Sequence, residues 1–410
     1  MKQTLTFLFS VAILFSSCGK LSTEKTLNGR WHAEFIINEK QIPFVFDIHH
    51  LDTDSATAYL INGAERVELK GISKLGDTLT IPIEAYDAML VATIDGLKMK
   101  GRFIKNFLDN DSGIFFEATR SDSVPRFAPI SSPVNISPAG KWDVLFIDEK
   151  GDTTRNVGIF ALENNILTGS ILTKTGDLRF LEGAMTSEGF QLSAFAGLSP
   201  YLIETKFEDK DNFKGKFYTT RGKTQLVGKR NDEANPIDPY SLTALKKGYK
   251  SIDFTFPNID GDMVSLKDSK YRGKVVILSI LGSWCPNCLD EMDYLSPWYD
   301  ENKDRGVEVL GIAFERKDDT EYAKKVLSRL RDRYNVKYEI LFAGKVGTES
   351  TEKALPALTK VMSYPTTIFI DKKGIVRKIH TGFNGPATGL FFDDLKTKFN
   401  ALVDNLLAEE

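Results

Sequence analysis

The chain has 410 residues, of which 42% are hydrophobic and 27% are charged, which is ordinary for a globular protein and enough for about two or three domains. The formal net charge is −3, and the sequence contains no run of five or more basic residues. Nucleic-acid binding is therefore excluded as a predicted function, because a polyanion needs a concentrated basic surface.

The first 17 residues have the pattern of an export signal, with a charged start, an apolar core at residues 5–15 and small residues before Cys18. The core is too short for a permanent membrane span. Small residues before a cysteine resemble a bacterial lipobox, although Phe15 replaces the usual leucine. This implies cleavage before Cys18, lipidation of Cys18 and a tether at residues 18–26. An ordinary signal peptide with an incidental cysteine is the alternative.

Residues 27–122 and 139–231 are predicted to be two copies of one β unit, joined by a Pro- and Ser-rich linker at residues 123–138. Short motifs recur in the same order after roughly 110 positions. The recurring pairs are Gly29-Arg30-Trp31 with Gly140-Lys141-Trp142, and Gly101-Arg102-Phe103 with Gly215-Lys216-Phe217.

Alternating apolar segments and frequent Gly, Asn and Asp breaks predict antiparallel, barrel-like β meanders in each copy. Each copy could form its own barrel or sandwich, or the two could join into one larger unit. Trp31 and Trp142 are predicted to fill the cores. The copies could bind a ligand or partner, or they could hold the rest of the chain away from the membrane.

Residues 232–246 are predicted to be a second linker, because Asn235-Pro236 and Asp238-Pro239 are typical of turns. Residues 247–410 alternate apolar strands with helices, which indicates an α/β domain. The expected strands are 275–281, 307–314, 337–342, 366–370 and 376–380. The expected helices begin at Cys285, at Thr320 (as the cap) and at Leu390, and residues 343–361 are expected to carry a short helix.

The motif Cys285-Pro286-Asn287-Cys288 directly follows the buried strand at 275–281. Pro286 suits the first position of a helix, so Cys285 is expected at the helix N-terminus, where free N–H groups favour a thiolate. Cys288 lies on the same helix face within reach of a disulfide. No second pair of ligands occurs at zinc spacing, so neither a metal nor a cofactor is expected. The motif predicts a redox site.

The sequence around this motif, together with a lead-in at 253–266 and the block Tyr364-Pro365-Thr366-Thr367, resembles the TlpA/ResA-like branch of the thioredoxin-fold thiol-disulfide oxidoreductases. The resemblance covers roughly residues 250–410. It implies an α/β thioredoxin-like C-terminal domain, here preceded by a duplicated all-β N-terminal region.

The resemblance also implies roles for single residues. Pro365 is expected to be cis and to lie against the cysteine pair, and Trp284 to pack beside Cys285. Glu291 is expected to exchange a proton with Cys288, the alternative being an exposed helix glutamate. A mixed disulfide at Cys285, resolved by Cys288, gives the redox disulfide Cys285–Cys288.

The function expected from this resemblance is a disulfide reductase. The N-terminal sequence adds the expectation that it is lipid-anchored and periplasm-facing on either envelope membrane. Its expected partners are protein dithiol or disulfide clients, with cytochrome c maturation as one setting, and a membrane thiol-relay electron donor. Pro286 stands where many thioredoxins have Gly or Glu, and Asn287 supplies no imidazolium, so the two spacer residues leave the redox poise open. A thiol peroxidase of the peroxiredoxin type is one alternative, although Gly282 and Leu278 stand where that family has Thr or Ser and Pro. A non-catalytic lipoprotein whose β repeats bind a ligand is the other.

Overall fold

The structure, a computed structural model, describes residues 26–108, 112–128 and 130–410. The predicted signal sequence, Cys18 and all but the last residue of the predicted tether lie outside these residues. None of the helices among the described residues combines the length and the apolar character that a membrane span requires.

The first β unit is one open antiparallel sheet of nine strands in the order β4-β3-β2-β1-β9-β8-β7-β6-β5. Alternate residues of the first strand, Trp31, Ala33 and Phe35, are buried, so one face of the sheet carries the core. The strands are β1 Gly29–Ile37, β2 Lys40–His49, β3 Thr57–Asn62, β4 Glu65–Leu69, β5 Ser73–Leu75, β6 Thr78–Ile83, β7 Ala88–Asp95, β8 Lys98–Lys105 and β9 Ile114–Arg120.

The second β unit has a closed sheet. Its strands are β10 Gly140–Ile147, β11 Thr153–Glu163, β12 Ile166–Thr173, β13 Gly176–Asp177, β14 Leu181–Met185, β15 Phe190–Ala194, β16 Tyr201–Phe207, β17 Asn212–Thr219 and β18 Gly222–Arg230. Strand β12 pairs with both β11 and β14, so eight strands close into a barrel, and the two-residue β13 pairs antiparallel with the end of β12. The all-β prediction is confirmed, with one unit open and the other closed.

The two β units share details around their buried tryptophans. The indole N–H of Trp31 donates to the Leu27 carbonyl at 2.9 Å, and that of Trp142 donates to the Pro138 carbonyl at 2.8 Å. Both indoles are fully buried, which confirms their predicted core position. The units also pack together, because Phe195 of the second lies 4.8 Å from the ring of Phe35 in the first.

The C-terminal domain has a mixed five-stranded sheet in the order β23-β22-β21-β24-β25, preceded by a hairpin of β19 and β20. The strands are β19 Thr255–Pro257, β20 Met263–Ser265, β21 Val275–Leu281, β22 Val307–Glu315, β23 Glu339–Lys345, β24 Thr366–Ile370 and β25 Val376–Thr381. The helices are α1 Pro286–Asn302, α2 Thr320–Arg333, α3 Thr348–Ala354 and α4 Leu390–Ala408. All seven residues of β21 are buried, as its unbroken apolar sequence predicts.

One predicted helix start is wrong in detail. The cap of α2 is Asp319, whose carboxylate accepts a hydrogen bond from the N–H of Tyr322 at 2.9 Å. Thr320, the predicted cap, is the first residue inside the helix. Both residue types cap helices well, and the carboxylate one position earlier takes the free N–H.

Candidate redox site

The two cysteines lie where the central strand β21 passes into helix α1. Cys285 is the N-cap of α1, and its Sγ accepts a hydrogen bond from the N–H of Cys288 at 3.3 Å. Pro286 occupies the first turn, where its missing N–H costs no hydrogen bond. Both thiols are free, and their residues are only 5% and 2% exposed. A sulfur at a helix N-terminus has the geometry that thiol–disulfide exchange uses.

The loop before β24 completes this side of the site. The peptide bond between Tyr364 and Pro365 is cis. The carbonyl oxygen of Tyr364 accepts a hydrogen bond from the Cys285 thiol at 3.3 Å, so this loop lies directly against the Cys285 sulfur. The Tyr364 hydroxyl lies 3.0 Å from Oγ1 of Thr351 on α3, which places the predicted short helix beside the site.

Glu291 lies one turn beyond Cys288 on α1 and is 3% exposed, which excludes the exposed-glutamate alternative. Its carboxylate accepts hydrogen bonds from the hydroxyls of Ser279 and Thr367. Burial raises the pKa of Glu291 to about 7, against the effect of these two donors. Burial also raises the pKa of the Cys288 thiol, with smaller contributions from Cys285 and from the charge of Glu291.

Trp284 forms one wall beside Cys285. Its indole N–H donates to the carbonyl of Phe314 at 2.9 Å, and its ring meets the Tyr364 ring edge to face at 5.3 Å. The five residues predicted for the reaction therefore surround one helix start: Trp284, Cys285, Cys288, Glu291 and Pro365. The predicted lipidation residue, Cys18, lies outside the described residues.

Glu315, at the end of β22, is a buried acid that the sequence reasoning missed. It accepts hydrogen bonds from the N–H of Ser283 at 2.9 Å and from its hydroxyl at 2.6 Å, and so holds the turn that leads into Cys285. Burial raises the pKa of Glu315 to about 7. An acid directly after the apolar run 309–314 was the available signal, since β22 lies beside β21.

A second missed group comes from the β units. Arg179, just after β13, donates to the Pro286 carbonyl at 2.9 Å and forms an ion pair with Asp290 of α1 at 2.8 Å. It also pairs with Glu65 of the first β unit. Burial raises the pKa of Asp290 to about 7, although the Arg179 charge opposes the shift. All three units of the chain therefore meet at the first turn of α1.

A cavity of about 380 Å³ lies between α1, α4 and residues 235–240, and Glu291 and His380 are among its lining residues. A ring nitrogen of His380 lies 3.0 Å from the Gly382 carbonyl oxygen, and burial lowers the pKa of His380 to about 4. Across the described ranges, no three His, Cys, Asp or Glu side chains are grouped to hold a metal ion.

Comparison with known proteins places this domain. Residues 248–379 match the AhpC/TSA family. The thioredoxin-like protein YneN of Bacillus subtilis is 30% identical over 138 residues, which are 34% of this chain and 73% of the relative. The thiol-disulfide oxidoreductase ResA of Geobacillus kaustophilus is 31% identical over 140 residues, covering 34% of this chain and 72% of the relative.

Among solved structures, a thiol:disulfide interchange protein of the thioredoxin family from Chlorobium tepidum is 19% identical, with a TM-score of 0.30. It covers 40% of this chain and 100% of its own. The sequence matches confirm the resemblance found in the C-terminal segment. Through its C-terminal domain, the chain belongs to the thioredoxin-like thiol-disulfide oxidoreductases of the ResA type and is an enzyme of thiol–disulfide exchange.

Proposed function

We propose that this enzyme is an envelope disulfide reductase that works through the Cys285–Cys288 pair. One observation carries the proposal: the Cys285 sulfur caps helix α1 and touches the carbonyl of Tyr364 before cis-Pro365. A client sulfur that reaches Cys285 therefore contacts the attacking sulfur, and the client backbone lies next to the Tyr364–Pro365 segment. Thiol–disulfide exchange requires such approach of one sulfur to another.

In the first step the Cys285 thiolate attacks one sulfur of a client disulfide. The client S–S bond breaks, a mixed disulfide forms at Cys285, and the second client sulfur leaves as a thiolate that takes up a proton. The N–H of Cys288, 3.3 Å from the Cys285 sulfur, is the kind of donor that an anionic sulfur accepts.

In the second step Cys288 resolves the mixed disulfide. The Cys288 thiol loses its proton to the carboxylate of Glu291 and attacks the Cys285 sulfur. The mixed disulfide breaks, and the client sulfur that Cys285 had attacked leaves as a thiolate that takes up a proton. The protein then carries the Cys285–Cys288 disulfide and has given two electrons to the client. Because burial raises the pKa of Cys288, this step needs a nearby base, and Glu291 is the buried carboxylate one turn away.

The setting of the reaction is proposed from the sequence. A lipid on Cys18 anchors the chain on the periplasmic side of a membrane, and a membrane thiol-relay protein reduces the Cys285–Cys288 disulfide after each turnover. The clients are protein cysteines outside the cytosol, including those exposed during cytochrome c maturation. Export to an oxidising compartment supports a reductant whose disulfide has a reactive rather than a structural role.

The test is trapping in cells. Replacing Cys288 with Ser removes the resolving thiol, so mixed disulfides at Cys285 should accumulate, and mass spectrometry of the adducts identifies the clients. The matched variant Cys285→Ser keeps one thiol of the pair and should trap none. Absence of adducts with Cys288→Ser contradicts the proposal. Peroxide consumption faster than insulin reduction by the unmodified chain would favour the thiol peroxidase instead.

A further inference from the structure

A loop of the second β unit lies over the redox site. We define the covering loop as residues 174–179, which include the two-residue strand β13. Although Cys285 stands at a helix end, where sulfurs are normally accessible, it is only 5% exposed. Cys285 is therefore buried, and the covering loop bonds to the segments that surround it.

The covering loop forms hydrogen bonds with three segments that surround the cysteine pair. The Ser363 hydroxyl, next to Tyr364, donates to the carbonyl of Thr175 at 2.9 Å. The side-chain amide of Asn287, between the two cysteines, points at the Asp177 carbonyl at 3.4 Å. The N–H of Gly385 donates to the Asp177 carboxylate at 2.6 Å. These bonds span the spacer, the cis-proline loop and the loop after β25.

Charge fixes the covering loop in this position. Arg179 ends the loop and, through its bonds to the Pro286 carbonyl and to Asp290, ties it to the first turn of α1. On the other side of the site, Arg316 lies between the ring of Phe107 in the first β unit, at 3.8 Å, and that of Trp284, at 5.4 Å. Both β units therefore pack around the cysteine pair.

We propose that the covering loop determines which clients reach Cys285. It admits cysteines in extended, unfolded segments and small disulfides, and it excludes disulfides on the surface of folded domains. A sulfur must approach the attacked sulfur closely and in line, and the rigid surface of a folded protein meets the loop first. This inference rests on the proposed role of Cys285 as the attacking thiol.

Gly176 and Gly222 provide a variant that disturbs the loop and a matched control that does not. Gly176 has a φ of +130°, and a methyl group there would overlap the side-chain amide of Asn287. Gly176→Ala should therefore separate the loop from the Asn287 amide and, because of the positive φ, also strain the backbone of the loop. Gly222→Ala is the matched control, because Gly222 lies in the same β unit with a φ of +137° and has nothing within 4 Å of the added methyl.

The experiment compares two maleimides on the full chain with Cys18→Ser and Cys288→Ser, which leave Cys285 as the only thiol. One is N-ethylmaleimide, and the other is a maleimide on a short spacer attached to a small folded carrier protein. The readout is the rate with the carrier-bound maleimide divided by the rate with N-ethylmaleimide. This ratio cancels any change in the intrinsic reactivity of the thiol. Glutathione gives the ratio for an uncovered thiol.

In the parent chain this ratio should be lower than the ratio measured with glutathione as the thiol, by about tenfold or more. Gly176→Ala should raise it several-fold, and Gly222→Ala should leave it unchanged. A parent ratio equal to that of glutathione overturns the proposal. So does a folded Gly176→Ala chain that matches its control.

A second pair of variants has its substitutions in the redox domain, and one of them contacts the covering loop. A methyl group at Gly382, whose φ is +81°, would lie 2.8 Å from the carbonyl carbon of Thr175, whereas one at Gly374, with a φ of +78°, meets nothing. Should Gly176→Ala fail to fold, Gly382→Ala against Gly374→Ala gives the same comparison. A low ratio without client trapping overturns the proposed function alone, and trapping with a ratio equal to that of glutathione overturns the covering role alone.

Discussion

Glu291 and Glu315 are two buried acids near one cysteine pair that have different hydrogen-bond partners. Burial raises the pKa of each to about 7, so both change charge in the physiological range. Glu315 receives both hydrogen-bond donors of Ser283 and orients the turn before Cys285. Glu291 lies one turn from Cys288 on the same helix, where a carboxylate can accept the proton of the resolving thiol.

Replacing Glu291 with Gln should slow the resolving step at about pH 8 by roughly a hundredfold, because the base is lost. With dithionitrobenzoate as the model disulfide, attack by Cys285 releases one coloured thiolate and resolution by Cys288 releases the second, so stopped-flow absorbance separates the steps. Glu291 must be ionised to act as a base. The rate of the second phase in the parent chain should therefore rise as the pH passes about 7.

In the Glu291→Gln chain that rise should disappear, leaving only an increase at higher pH as the Cys288 thiol itself ionises. Glu315→Gln is the control, because Glu315 has a similarly raised pKa but bonds to Ser283. Its second phase should keep the rise near pH 7. A Glu291→Gln chain that retains the rise would assign the base to another residue.

At the residue scale, the sequence predicts which residues lie together when they are close along the chain. Cys285, Cys288 and Glu291 lie within two helical turns, so helical spacing alone predicts their shared face. Ser283 and Glu315 are 32 positions apart, and Pro286 and Arg179 are 107 apart. Contacts of this range depend on how strands and units pack, and the local pattern of a single sequence does not contain that information.

For helices and strands, too, the sequence predicts local features better than long-range pairing. Strand β21 coincides with its prediction because both faces are covered, which requires an apolar residue at every position. The sequence does not predict that the second β unit is closed and the first open, because alternation of apolar residues gives the face of a strand but not its partners. In the second unit β12 pairs with both β11 and β14, and that double pairing closes the sheet.

The start of α2 gives a prediction at the scale of one element. Asp319→Ala removes the carboxylate that accepts from the Tyr322 N–H, so the first turn of α2 should lose about 1 kcal/mol. Amide hydrogen exchange of Tyr322 should then be roughly fivefold faster. Thr320→Ala should leave this exchange rate nearly unchanged, because no side-chain cap comes from Thr320. Faster exchange in Thr320→Ala alone would restore Thr320 as the cap.

At the scale of the whole molecule, the three units are joined through buried charges as well as apolar surfaces. Arg179 of the second β unit pairs with Glu65 of the first and with Asp290 of the redox domain, and all three side chains are largely buried. A buried ion pair adds little net stability, but loss of one partner leaves an uncompensated charge in a medium of low dielectric constant. Arg179 is therefore the residue on which the junction of the three units depends.

Replacing Arg179 with Ala should destabilise the chain by about 3–5 kcal/mol at about pH 8.5, because it leaves the buried side chains of Asp290 and Glu65 without their cationic partner. Asp290 is an acid with a pKa raised to about 7, so it is protonated below that pH in the folded chain, and loss of the Arg179 charge raises its pKa further. The cost of the substitution should consequently fall as the pH falls, and at about pH 5.5 it should be clearly smaller.

Thermal melting of the parent and variant chains at the two pH values measures this difference. Arg155→Ala provides the control, because Arg155 pairs with Asp143 at 2.7 Å in the same β unit with half of its side chain exposed. An exposed pair of this kind contributes about 0–1 kcal/mol, so the control should change little at either pH. Equal losses for Arg179→Ala at both pH values would mean that Asp290 does not carry the uncompensated charge.

A larger loss at high pH, together with faster reaction of Cys285 with the bulky maleimide, would show that the buried charges around Arg179 hold the covering loop in place. The β units would then act on the chemistry of a domain whose cysteines lie more than 100 positions further along the chain.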